Sequence, residues 1–166
     1  MQHTYTSMSK IEIVTRIKST ADICFDLSRS IDLHKISTAG TNETAIAGTT
    51  TGLINLNETV TWEAIHFGIR QQLTSRITAF NRPHHFRDEQ VKGIFRKFIH
   101  DHNFVQKDDI VIMTDLLEFE SPFGIAGRVF NKLILTNYLT KFLNDRNRHI
   151  KSYAESGDWR SIIPGN

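Results

Sequence analysis

Between Asp109 and Leu135 the chain reads DIVIMTDLLEFESPFGIAGRVFNKLIL, and its apolar period changes partway along. Asp109–Glu120 reads as a strand, with Met113, Asp115 and Leu117 on one face. Ser121-Pro122 then reads as an N-cap followed by proline at the first helical position. From there to Glu155 no further proline occurs, and glycine is confined to Gly124 and Gly127. The prediction is one long helix of ~50 Å at 1.5 Å per residue. Its first half is apolar nearly all round, through Ile125, Val129, Phe130, Leu133, Ile134 and Leu135. Its second half narrows to a stripe of Leu139, Phe142, Leu143, Ile150 and Tyr153, so it should lie on a single surface.

Working back toward the N-terminus, the pattern is strand-like. Lys10–Lys18 alternates strictly, with Ile11, Ile13, Thr15 and Ile17 on one face. Ser19 or Thr20 can cap a short helix over 20–28, and a second follows over 30–37. Residues 37–56 are rich in Thr, Gly and Asn, with a short strand expected near 43–48. Glu58–Phe67, Arg70–Phe80, His85–Lys92 and Ile94–Gln106 then read as antiparallel strands. Gly68 suits a two-residue type II′ turn, and Lys107-Asp108 a tight loop. The class is therefore α+β. A curved antiparallel sheet of about six to seven strands, in the order β-α-α-β5/6-α, needs one face covered, and only the long C-terminal helix can cover it. Residues 1–156 are read as one domain and 157–166 as a tail.

Composition narrows the function classes. The chain has 166 residues, and Lys+Arg 20 against Asp+Glu 18 gives +2, which is not the charge excess of a nucleic-acid binder. A single cysteine, Cys24, rules out an internal disulfide; it is read as a core residue and fits a reducing, cytoplasmic setting. No secretory leader and no run of ~20 apolar residues is read, so integral membrane association is not expected. Nucleotide-binding glycine loops and serine-hydrolase, zinc-protease and C-x-x-C signatures are all lacking. Phe at 11 and His at 8 are high, against only 9 Gly and 3 Pro, which suggests an aromatic-lined interior with polar handles.

Particular residues carry a family resemblance. They are Glu58–Phe67 (ETVTWEAIHF), Phe86-Arg87-Asp88, Gly93-Ile94-Phe95, His100–Phe104 (HDHNF), Thr114-Asp115 and Ser121–Gly124 (SPFG). With the element order, they resemble the START and birch-pollen-allergen superfamily, also called SRPBCC or helix-grip. The likeness runs from about Ile11 to Tyr153, and is nearest to the bacterial ligand-binding branch described as cyclase/dehydrase-like. It implies a cavity between sheet and helix. The superfamily spans lipid carriers, receptors, cyclases and co-chaperones, so the resemblance does not fix a function.

Strand registers counted from the turns predict which side chains face that cavity. With Lys107-Asp108 as the loop, His100 faces Asp115, Phe98 faces Leu117, His102 faces Met113 and Phe104 faces Val111. Trp62 falls opposite Ser75, and a bend near Gly93 brings Asp88 close to His100. The expected ligand-binding face carries Trp62, His66, Phe86, Asp88, Gln90 and Phe98. It continues with His100, His102, Phe104, Met113, Asp115 and Leu117, with Ile134 and Tyr138 added from the helix. A carboxylate on either side of His100 should raise its pKa.

Three readings of Asp88, His100 and Asp115 stand side by side. They could be a satisfied polar network shaping the cavity floor. They could anchor one polar end of an apolar molecule. They could do chemistry, with His100 and Asp115 as a proton-transfer pair in a cyclase or dehydratase-type lyase. His100-x-His102 also places two imidazoles on one strand face ~7 Å apart along the chain. Asp88 or Asp115 would then be a third ligand for zinc or iron. The resemblance brings no metal, and neither metal nor cofactor is expected. The leading expectation is a carrier, sensor or storage protein for a small hydrophobic or amphipathic ligand, with homodimerisation left open. A cyclase-type enzyme and a protein-interaction module are the alternatives. His84-His85 beside Arg82 and Arg87 is read as a solvated turn at the cavity mouth, and Asn144–Lys151 (NDRNRHIK) as the polar face of a helix end.

Overall fold

A computed structural model describes residues 8–121 and 134–163. Strand β1 (Ser9–Ile17) is followed by helices α1 (Ala21–Ser28) and α2 (Ile31–Ser37). A short 3-10 turn (Ala39–Thr41) leads to β2 (Thr44–Gly48) and β3 (Thr59–His66). Then come β4 (Ile69–Asn81), β5 (His85–Lys92), β6 (Lys97–Lys107) and β7 (Ile110–Glu120). Helix α3 covers Thr136–Ser156. The predicted start of the long helix, 122–133, lies outside the described residues.

The seven strands form one antiparallel sheet ordered β1-β7-β6-β5-β4-β3-β2. β2 to β7 meander by neighbour pairing, and β1 closes the far side against β7. Local chemistry explains the helices between them. Thr20 caps α1 by accepting from the Ile23 amide, and Ser30 caps α2 by accepting from the Leu33 amide. Helix α3 packs on β1, α1 and α2. It ends at Gly157, whose φ of 85° is left-handed and suits a residue without Cβ.

Several sequence-level expectations change here. The β6–β7 loop is Asp108-Asp109, with Lys107 opposite Ile110, so the register moves by two residues. His100 faces Leu117, and His102 faces Asp115. A two-residue shift preserves the period of a strand, so every side chain keeps its face. The β3–β4 register also moves by two, placing Trp62 opposite Leu73. Phe67 and Gly68 both have positive φ, 52° and 74°, which makes that turn type I′ rather than II′. β6 begins three residues late because Gln90 ties down the preceding loop. Its side chain donates to the Phe95 carbonyl at 2.8 Å, and a Cβ on Gly93 would stand 2.4 Å from Gln90 Oε1. The supposed tail is also structured through Ile163: Asp158–Ser161 forms a 3-10 turn, and Ile163 is buried in the core. Arg82 and His84-His85 do not lie at a cavity mouth. Arg82 binds Asp22 and Asp26, while His85 and Arg87 hold Asp101, whose neighbours His100 and His102 point to the other face.

The core divides in two. One part centres on Phe25, whose ring meets Phe80, Phe86 and Phe104 edge-on with centroids 5.2, 5.2 and 5.5 Å away. Cys24 is also there, fully buried, its thiol pushed by burial up to about 12. The other gathers Ile11, Ile13, Leu117, Phe119, Leu135 and Leu143.

Helix α1 is pinned by a buried charge. Asp26 accepts from Arg29 Nε at 2.8 Å and from Arg82 Nη2 at 2.7 Å. Burial alone would raise the Asp26 carboxyl, but the hydrogen bonds and charge of Arg82 and Arg29 hold it below its ordinary value. Its folded pKa thus lies under an unfolded value of ~3.9, so the stabilisation is complete above that pH and is lost as pH falls through the folded pKa. Asp26→Asn should cost about 1–3 kcal/mol at neutral pH. In denaturant titrations at several pH values, its difference from wild type should shrink in acid.

A candidate ligand cavity with a buried polar floor

A cavity of about 750 Å³ lies between the inner face of the sheet and α3. That is within the ~300–1,000 Å³ of small-molecule sites. Ile54, Val60, Ile77, Phe98, Leu139 and Phe142 supply much of its apolar wall. Of the residues predicted to line it, Trp62, His66, Phe86, Asp88, Phe98, His100, His102, Leu117 and Tyr138 do so.

Five others are placed elsewhere. Gln90 is taken up by the Phe95 loop. Phe104 is buried against Phe25, and Met113 is buried where its sulfur meets the Ser28 hydroxyl. Asp115 is wholly buried behind His100 and His102. Ile134 is 47% exposed and off the cavity wall.

The floor is built by strand and helix periodicity together. Alternation on β6 brings His100 and His102 inward, and the same alternation on β7 brings Asp115 between Met113 and Leu117. His100 Nε2 lies 2.9 Å from Asp115 Oδ1. His102 Nδ1 lies 2.9 Å from the same oxygen, within charge attraction but off the line of a directed hydrogen bond. His102 Nε2 meets Asp88 Oδ2 at 3.2 Å. The two imidazoles face each other with centroids 3.8 Å apart. From α3, Asn147 Nδ2 donates to Asp115 Oδ2 at 2.7 Å, and Arg146 reaches within 3.7 Å of Oδ1. Arg146 also donates to the Ser28 carbonyl at 2.7 Å. Arg146 and Asn147 were expected on a polar outer face; both are buried.

Electrostatics divides the roles. Burial would raise the Asp115 carboxyl, but the hydrogen bond to His100, the close approach of His102 and the charge of both rings hold it well below the ordinary carboxylate range. Burial and the charge of His102 push His100 down, against the pull of Asp115 and Asp88. For His102 burial also pulls down, but contacts with Asp115 and Asp88 outweigh it and its pKa rises. The expected raised histidine is therefore His102, not His100. Two stacked imidazoles do not readily share two charges, and His102 stands opposite Asp115 in the true register.

A second polar pole lies elsewhere on the wall. His34 Nε2 meets Glu43 Oε2 at 3.1 Å, and its ring stacks on Trp62 at 4.2 Å. His66 Nδ1 and Tyr138 Oη lie 2.6 Å apart. Burial lowers His66 and raises Tyr138. His34 and Glu43 escaped the sequence reading. A signal existed for His34, three residues after the inward Ile31; Glu43 sits in a stretch without period.

Asp115 is the centre of the floor, so Asp115→Ala takes from the buried His100 and Asn147 their shared hydrogen-bond partner and from His102 and Arg146 the carboxylate charge beside them. It should cost about 3–5 kcal/mol in chemical denaturation.

No family model matches this sequence, and no curated protein does. Solved structures do match in shape. A ginseng (Panax ginseng) major latex-like protein superposes with TM-score 0.66 at 18% identity, covering 89% of this chain and 97% of that one. A START superfamily protein of Mycobacterium smegmatis gives TM-score 0.66 at 11% identity, covering 89% and 97%. The Zhui aromatase/cyclase of Streptomyces sp. R1128 gives 0.67 at 10% identity, covering 91% and 98%. Among the described residues, no helix is long and apolar enough to cross a membrane. At these identities the likeness is one of architecture: the chain shares the helix-grip fold of these proteins.

Proposed function

We propose that this chain binds a small, mainly apolar ligand in the cavity between sheet and α3, as a carrier, sensor or store. One observation carries this reading: an apolar chamber of about 750 Å³ has two separate polar groupings on its wall. Apolar burial would supply affinity at ~25 cal/mol per Å². Asp88, His100 and His102 at one pole, and His34, Glu43, His66 and Tyr138 at the other, would orient polar ends of the ligand. Ala64 is a small residue on the wall, and Ala64→Phe would fill part of the chamber. The variant should weaken binding of an apolar fluorescent probe at least about tenfold, the worth of roughly 1.4 kcal/mol. Equal probe binding by wild type and variant would sink the proposal.

A second reading has its own support. At the cavity wall His100, pushed down by burial, lies beside His102, pulled up by Asp115 and Asp88, and two imidazoles driven apart in this way could divide the base and acid roles of a cyclase or dehydratase. If the site is catalytic, a ligand recovered by native mass spectrometry should lose water or rearrange on incubation. His100→Ala should stop that change while leaving affinity within a few-fold. A carrier returns its ligand unaltered.

A further inference from the structure

His100 and His102 use their two ring nitrogens in opposite senses. In His100, Nε2 is on Asp115 at 2.9 Å and Nδ1 faces Asp88 Oδ2 at 3.9 Å. In His102, Nδ1 is on Asp115 at 2.9 Å and Nε2 faces Asp88 Oδ2 at 3.2 Å. Each imidazole therefore sets one nitrogen beside the deep carboxylate and turns the other toward the carboxylate at the cavity. One ligand atom from each of Asp88, His100 and His102 lies within 4.8 Å of the other two. Four ligands at ~2.0–2.1 Å around a tetrahedral ion stand ~3.4 Å apart. The separations of 3.2 and 3.9 Å bracket that edge.

We propose that Asp88, His100 and His102 form a mononuclear site for a divalent transition-metal ion of the zinc class, with Asp115 as the outer carboxylate behind the two rings. The donor set is two imidazoles and one carboxylate. That excludes the all-oxygen shells of calcium and magnesium and suits zinc or ferrous iron. A carboxylate on the far nitrogen of a ligating histidine sets its tautomer and aims its lone pair. Here Asp115 Oδ1 holds His100 Nε2 in this way and stands 2.9 Å from His102 Nδ1 as a charge partner. Asp115 is itself held by Asn147 at 2.7 Å, so the outer partner is fixed before any ion arrives. All three donors line the cavity, which leaves a fourth position open to the bound molecule or to water. The sequence pattern alone favoured no metal; the mirrored use of the two rings is what the structure adds.

The test is titration of the full chain with Co²⁺ alone, read by visible absorption, followed by displacement with Zn²⁺. One equivalent should develop the intense bands of four-coordinate cobalt, and zinc should abolish them. Asp88→Asn and His102→Gln should each weaken binding at least tenfold. Asp115→Asn, which removes no ligand, should weaken it about 10–100-fold. His84→Ala, at an exposed turn outside the cluster, should leave it unchanged. Circular dichroism would check that each variant is folded. Should His102→Gln fail to fold, Asp88→Asn at the cavity wall decides alone. Wild-type protein that takes up no cobalt in a saturable way, or a folded Asp88→Asn that binds as tightly as wild type, would overturn the proposal. The three residues would then be only a hydrogen-bonded floor.

Discussion

The structure depends on one buried carboxylate. Asp115 occupies an inward position of β7 whose neighbours on that face are Val111, Met113, Leu117 and Phe119, all buried. An ionised carboxylate there is tenable only if the surroundings supply donors and opposite charge. Each adjoining element yields a polar side chain at the same level. β6 gives His100 and His102, and α3 gives Arg146 and Asn147. β1 gives Thr15, which accepts from Asn147 at 3.2 Å. The result is a polar belt crossing the interior. On one side lies the cluster around Phe25, and on the other the cluster around Leu117 and Leu143.

This belt also sets the helix. Arg146 and Asn147 are consecutive, so they leave α3 about 100° apart and cannot serve one point unless the helix sits close above it. Asn147 reaches Asp115 and Thr15, while Arg146 reaches the Ser28 carbonyl at the end of α1. Helix α3 is thereby held over β1 and against α1 and α2. Apart from Phe25 of α1 on Phe80 and Phe86 and His34 of α2 on Trp62, the inner faces of β3, β4 and β5 stand open, and Val60, Trp62, Ile77 and Phe86 wall the cavity there. The chamber follows from where the polar residues pin the helix rather than from a shortage of apolar residues.

Much of this was legible along the chain. The α+β class and strand faces follow from period two, and the two short helices fall within a residue of their expected limits. Facing was robust because both hairpin registers slipped by two, an even number. Pairing was not: choosing Lys107-Asp108 over Asp108-Asp109 set His100, instead of His102, opposite Asp115. The raised pKa expected of His100 accordingly belongs to His102. Arg146 and Asn147 were unreadable for another reason. In NDRNRHIK every residue before Ile150 is polar, so no period separates the inward pair from the solvated ones. Ile162 and Ile163 gave a weak apolar signal, and Ile163 proves to be core.

Stability alone does not account for the belt. Exchanging a buried ionic cluster for apolar side chains of similar volume is often neutral or stabilising. The flanking residues of β7 show that this strand accommodates apolar side chains at neighbouring inward positions. The belt's own geometry adds to the argument. A purely structural network would turn every donor and acceptor inward to close on one another. Here His100 and His102 close on Asp115 behind them and on Asp88 in front, yet Asp88, His100 and His102 also form part of the cavity wall. Asp88 keeps 23% of its side chain exposed, while Asp115 keeps none. The buried member supports and the partly exposed member presents. That division of labour supports a floor that acts on whatever occupies the chamber above it.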